Sequence, residues 1–315
     1  MESNARQGVM DQVVIEDGQQ LPNEAVRHAP AARDVSGLLR ATSRTFALSI
    51  EGLADGLREE IAVAYLLFRV SDYLEDHEEL EPAEKARLLR LWDEVLHGRE
   101  SEVSLHAALE RVPHRDGDPE AVVAQEFGFL LGNLRGFSVS ARETIVARVS
   151  ETTRGMARWQ EKGPHVETED ELDDYMHHVA GLVGHLVTDL FSLRFASVAR
   201  RRARLMPLAR EFGLALQSVN IIRGLRKDYE RGWIYVPRSF CAGAGIVRAD
   251  LFRAECRERA LEVLSRLTRK AERHLQAAVE YVRLLPRHLH QLRLACMWPL
   301  LFAARTVAVS RDNPE

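Results

Sequence analysis

The chain has 315 residues, 46% of them hydrophobic and 29% charged, with a formal net charge of −4. That balance excludes a collagen, a mini-protein and a wholly disordered chain, and it argues against a nucleic-acid-binding role. Three cysteines (Cys241, Cys256, Cys296) without a CxxC pair exclude a disulfide scaffold and a zinc finger, and they suit a reducing cytosol.

The first 33 residues are polar and lack the apolar core of a signal peptide, so they read as a disordered tail and the location as cytoplasmic. From Asp34 onward the pattern is helix after helix. Asp34 caps a helix running through Thr45 and Leu48, and a second, apolar helix spans 57–77. Others fit 83–97, 104–112 and 119–136. Ser140 with Glu143, and Thr168 with Glu171, have capping-box spacing and open two more. The second of these runs through Tyr175 to Phe195. Further helices cover 206–230, 249–284 and 287–309. Proline and glycine break the pattern at 113–119, 163–164 and 243–245. No alternating strand pattern persists, so the expected architecture is one all-α domain over 34–315, a bundle of roughly ten helices. No uncharged apolar run reaches the ~18 residues that a membrane span needs. The apolar stretch 294–304 reads as a core helix, with an interfacial patch as the alternative.

Two segments carry chemistry. In Tyr65-Leu-Leu-Phe-Arg69-Val-Ser-Asp72-Tyr-Leu-Glu75-Asp76, the residues Tyr65, Arg69, Asp72 and Asp76 share one helical face. Carboxylates four residues apart repel each other unless a cation sits between them. A hard ion such as Mg²⁺ takes one or two carboxylates and completes its shell with water and phosphate oxygens. A solvated acidic face is the plainer reading, but the apolar run before it (61–67) points to burial. Far along the chain, Gln217, Asn220, Gly224 and Asp228 fall on one side of a helix whose other positions are apolar. Polar groups in that setting need partners. Two such helices facing each other across a cavity would share metal ions.

Together these stretches resemble the squalene/phytoene synthase family, the head-to-head prenyltransferases. The resemblance covers 35–314. Its anchors are Ser43-Arg44-Thr45-Phe46-Ala47, the Tyr65-to-Asp76 stretch, Gly155-Met156-Ala157, Tyr175-to-Gly184, Gln217-to-Asp228 and Leu292-Arg-Leu-Ala-Cys296. The block at Tyr175 is closer to squalene synthases, since phytoene synthases tend to have Thr where this chain has Leu182. The resemblance implies the isoprenoid-synthase fold around a central apolar cavity. It implies Mg²⁺ (or Mn²⁺) held by Asp72, Glu75 and Asp76 on one helix and by Asn220 and Asp228 on the other. Ser43, Arg44, Phe46, Arg69, Gln217 and Arg223 would bind a prenyl diphosphate. Tyr65 and Tyr175, with Asp72 and Asp76, would be catalytic. Gly181 and Gly184 would serve either a long isoprenoid chain or close helix packing.

The implied reaction joins two farnesyl diphosphates into presqualene diphosphate or squalene. Departures keep alternatives open. Gly224 and Lys227 replace two acids of the family's second motif, and Gly232-Trp233 replaces a Gly-Arg pair. Geranylgeranyl coupling, use of a single prenyl diphosphate, cyclisation, or a silent relative that binds isoprenoid diphosphates are therefore also in play. The basic segment that helps squalene synthases hold NADPH is not seen before Glu315, which leaves NADPH use undecided. Peripheral membrane contact is expected only from the apolar product. His177-His178 cannot face one ion, the basic run 200–204 reads as a solvated helix end, and Trp159, Trp233 and Trp298 read as packing.

Overall fold

Asp34 caps the first helix as expected, its side chain accepting from the Ser36 N–H. A computed structural model describes residues 34–115 and 117–311, without the Arg44 side chain; the expected disordered tail lies outside the described residues. The single helix expected through Leu48 is two: α1 (Val35–Thr42) and α2 (Arg44–Glu51). Thr42 Oγ1 bonds back to the Leu38 carbonyl at 2.9 Å, a contact that competes with the helix ladder. Ser43 is then extended and caps α2 by accepting from Phe46 N at 3.1 Å.

α3 (Leu57–Asp76) is the central element, with α4 (Pro82–Leu96) and α5 (Glu102–Leu109) after it. The helix expected at 119–136 is interrupted at Glu126, giving α6 (Pro119–Gln125) and α7 (Phe127–Arg135). α8 (Val139–Lys162) starts at Ser138, which accepts from Ala141 N, so the Ser140–Glu143 pair lies inside the helix. α9 (Glu169–Met176) is capped by Thr168 as the capping-box spacing predicts. The helix expected to continue to Phe195 carries a π-helical turn, His177–Gly181, before α10 (Leu182–Arg194). Short α11 (Ala196–Ala199) and α13 (Arg238–Gly243) flank α12 (Arg202–Glu230). Two 3₁₀ turns replace the expected helical start at 249, so α14 is Arg257–Leu284; α15 is His290–Ser310. Among the described residues there is no strand, only an isolated bridge from His165 to Ile234.

α3 is apolar on most of its circumference because helices surround it. Leu66, Leu67, Val70 and Leu74 are fully buried. On its far side Ser71 bonds Thr153 of α8 at 2.7 Å and accepts from Trp92 Nε1 of α4, so the buried hydroxyls are satisfied. α10 and α12 approach backbone to backbone. A Cβ on Gly184 would lie 2.1 Å from the Ala209 carbonyl oxygen, and one on Gly213 2.3 Å from that of Ala180. Close packing is therefore what Gly184 requires.

Candidate active site

The last turn of α3 and the C-terminal half of α12 face each other across a cavity of about 490 Å³. The walls deeper in are apolar: Ile50 from α2, Phe68 from α3, Val183 and Phe191 from α10, Phe212 from α12, Tyr281 from α14, Ala295 and Cys296 from α15. Its mouth is charged. Such a volume lies within the usual range for small-molecule pockets, roughly 300–1,000 Å³.

Asp72, Glu75 and Asp76 sit in the final turn of α3, which holds no basic residue. Carboxylates at a helix C-terminus oppose the helix dipole. Burial raises Asp72 to about 6; the charges of Asp76 and Glu120 add to this, against the pull of Arg69. Glu75 stands well above the ordinary carboxylate range, again through burial first and then the neighbouring Asp76 and Asp72. Asp228, on the opposite wall, is raised by burial against its hydrogen bond to Arg231. An acid cluster so disfavoured in its charged form is a site that a cation would relieve.

Two guanidinium groups hold the cluster. Arg69 donates to Asp72 Oδ2 at 2.8 Å and to Glu120 of α6. Arg231, just past α12, lies 2.5 Å from Asp228 and 3.9 Å from Asp76, so one side chain touches both walls. Three buried atoms here have no hydrogen-bond partner: Arg69 Nε, Arg231 Nε and Glu75 Oε1. Two are donors aimed at an anion's needs and one is an acceptor suited to a cation. No three Asp, Glu, His or Cys side chains among the described residues converge closely enough to hold a metal by themselves. That matches an ion such as Mg²⁺, which keeps water and phosphate oxygens in its shell. The residues present thus fit a divalent cation bound together with a diphosphate.

Most of the sequence-predicted residues line this cavity: Tyr65, Arg69, Asp72, Glu75 and Asp76 from α3, Phe46 from α2, Tyr175 from α9. Gln217, Asn220, Gly224 and Asp228 do so from α12, with Asn220 Nδ2 donating to Gln217 Oε1 at 3.2 Å. Two do not join them. Ser43 is used as the α2 cap and Arg223 is exposed; neither lines the cavity. The side chain of Arg44 lies outside the described residues. Lys227 is exposed and pairs with Glu78 at 3.1 Å, and its charge reaches Asp228 only weakly, behind burial, Arg231 and Asp76.

Sequence reasoning missed Arg231, Tyr235 and Glu120. Arg231 restores, one residue before Gly232, a positive charge like the one whose loss was read at Trp233. Tyr235 stacks on Tyr175 with centroids 4.6 Å apart, and Trp159 meets the other side of Tyr175 edge-on at 5.5 Å. Burial, then the charge of Glu75, keeps both tyrosines far above the ordinary phenol range, so both stay protonated. α9 is fixed from behind by Lys270 of α14, fully buried and 2.6 Å from Asp173.

Residues 39–315 match the family model described as squalene/phytoene synthase. The chain belongs to that family. Among its relatives, the squalene synthase of Schizosaccharomyces pombe is 31% identical over 286 residues, covering 88% of this chain and 59% of the relative. The human squalene synthase is 28% identical over 283 residues, covering 88% and 63%. The chain therefore spans about three fifths of the length of these curated relatives. Its fold is shared with a solved structure of TcSQS bound to a ligand (TM-score 0.76, 24% identity, 89% of this chain and 79% of that one). It is also shared with squalene synthase HpnC of Alicyclobacillus acidocaldarius (TM-score 0.63, 18% identity, 88% and 91%). Within this squalene/phytoene synthase site the departure at Gly224 lets the Asp228 carboxylate fold back against the helix: a Cβ there would crowd Asp228 Oδ2 at 3.1 Å.

Proposed function

We propose that the protein couples two prenyl diphosphates head to head, with farnesyl diphosphate as substrate and presqualene diphosphate or squalene as product. The observation that carries this reading is the pair of acidic walls, spanned by Arg231, at the mouth of an apolar cavity. Asp72, Glu75 and Asp76, with Asp228 and Asn220, would hold Mg²⁺ (or Mn²⁺), whose charge neutralises the diphosphate as a leaving group.

The chain's own groups account for the rest. Arg69 and Arg231 offer unpartnered N–H donors where negative charge grows on the departing oxygens. C–O cleavage leaves an allylic cation that water would quench, and the apolar walls keep water from it. Phe46 and Tyr65, with ring centroids 5.7 Å apart, present aromatic faces just inside the charged mouth, where a cation is attracted. The Tyr175–Tyr235 pair stays protonated beside Glu75, so it serves as a hydrogen-bond donor rather than a base.

Incubation with farnesyl or geranylgeranyl diphosphate and Mg²⁺, with and without NADPH, tests the reading. A C30 cyclopropyl diphosphate, becoming squalene when NADPH is present, supports it. A C40 product moves the substrate to geranylgeranyl diphosphate. A C15 or C20 product, or intact substrate, overturns head-to-head coupling.

A further inference from the structure

Two stretches without acidic residues meet at one end of α15. No Asp or Glu occurs between Asp189 and Glu211, or between Glu280 and Asp312, although the whole chain is net negative. Arg201 Nη1 joins them by donating to the Leu284 carbonyl at 2.7 Å. Around this contact Ser197, Arg200, Arg283, Arg287 and His288 line a hollow. Among the described residues its only carboxylate contact is Glu280, which pairs with Arg283 at 2.6 Å.

From that hollow α15 runs outward with two apolar faces. The inner stripe, Leu292, Cys296, Pro299 and Ala303, is buried, and part of it walls the cavity. The outer stripe is open: Leu294 is 51% exposed, Trp298 41%, Leu301 53% and Phe302 47%. Trp298, expected as a packing residue, instead stacks on Phe302 at the surface, centroids 6.2 Å apart. Leu48 of α2, which packs beside α15, adds another exposed side chain. A helix with two apolar stripes has an unmet partner when only one of them is covered.

We propose that this face rests on a bilayer containing anionic phospholipid, with the α15 outer stripe in the acyl boundary and the arginine hollow on the headgroup phosphates. Apolar area and a basic patch together make the two signals that stable surface anchoring requires. Charge decides against a second copy of the chain as occupant. A two-fold contact through this patch would set the acid-free faces against each other. The helix lies on the surface rather than spanning it, because its inner stripe is already used by the cavity and α14.

The test is vesicle flotation of the full chain with phosphatidylcholine alone and with phosphatidylcholine containing phosphatidylglycerol. Binding at least ~10-fold stronger to the anionic vesicles, falling with salt and accompanied by a blue shift of tryptophan emission, is the expected result. The triple variant Trp298→Ser, Leu301→Ser, Phe302→Ser should lose at least ~10-fold in partition, and Arg200→Ala with Arg287→Ala a comparable amount, with circular dichroism unchanged. Equal binding to both vesicle types, no binding, undiminished binding by both variants, or a concentration-dependent dimer abolished by the triple variant overturns it. Only binding is read, so this result and the product assay stand or fall separately.

Discussion

The two walls of the cavity mouth are built unequally. α3 brings Asp72, Glu75 and Asp76 within one turn, while α12 brings a single carboxylate, Asp228, with Gly224 one turn before it. The rich wall carries the electrostatic strain: Asp72 and Glu75 are both lifted by burial and by each other's neighbours. The poor wall is bound to Arg231, which also reaches Asp76. A lost acid on one side has thus not emptied that side. Of the two guanidinium groups that hold the cluster, Arg231 is the one placed between the walls, and the Asp228 carboxylate lies close against Gly224.

Asp72→Ala should give the largest effect. It removes a carboxylate from the crowded wall and leaves Arg69 facing a gap, and kcat/KM should fall at least ~100-fold, roughly 2.7 kcal/mol of transition-state stabilisation. A rate unchanged in steady-state assays would take Asp72 out of the chemistry. Arg231→Met should cost about 10-fold, chiefly as a higher KM for the diphosphate, since the guanidinium donor between Asp76 and Asp228 would be gone. If only thermal stability moved, Arg231 would be a strut and no more.

Gly224→Asp would even out the two walls. Its Cβ would crowd Asp228 Oδ2 at 3.1 Å, so that side chain must shift by a few tenths of an ångström; with the two carboxylates then side by side, half-saturating Mg²⁺ should drop by about 3–10-fold. A higher Mg²⁺ requirement would mean that the crowding displaces Asp228 from the site. The smallest signal is protonic. Asp72 titrates at about 6 in the metal-free protein against an ordinary 3.8. Since a cation favours the charged carboxylate, Mg²⁺ binding at pH 6 should release about half a proton, seen by calorimetry in buffers of different ionisation enthalpy, and affinity should weaken as pH falls. The same shift means that this group destabilises the metal-free fold progressively as pH rises from 3.8 through 6, so Asp72→Asn should raise the metal-free melting temperature above pH 6.

The rich wall was legible from the sequence and the poor wall only half so. Asp72 and Asp76 follow a helix period that fixes their shared face whatever packs around them. Glu75, three residues on from Asp72, turns about 60° aside on the same helix, toward the tyrosine pair and Lys85. Arg231, Tyr235 and Glu120 follow no such period. Arg231 lies beyond the helix end, and Glu120 meets Arg69 only because α6 packs across α3. Helix interiors were likewise readable while their joints were not. Ser43 and Glu126 end helices through local side-chain competition and tertiary fit, which apolar periodicity does not record.

The π-helical turn at His177–Gly181 sets the phase of everything after it. One residue extra in that turn lets Tyr175 before it, and Val183, Val187 and Phe191 after it, all address the same interior. Deleting a single residue there would regularise the coil yet swing α10 by about 100° about its axis, carrying those side chains out of the chamber and pulling Gly184 off the Ala209 carbonyl. The irregular turn therefore works as a spacer of fixed length, and its own Val179 and Ala180 form part of the chamber wall that it keeps in phase.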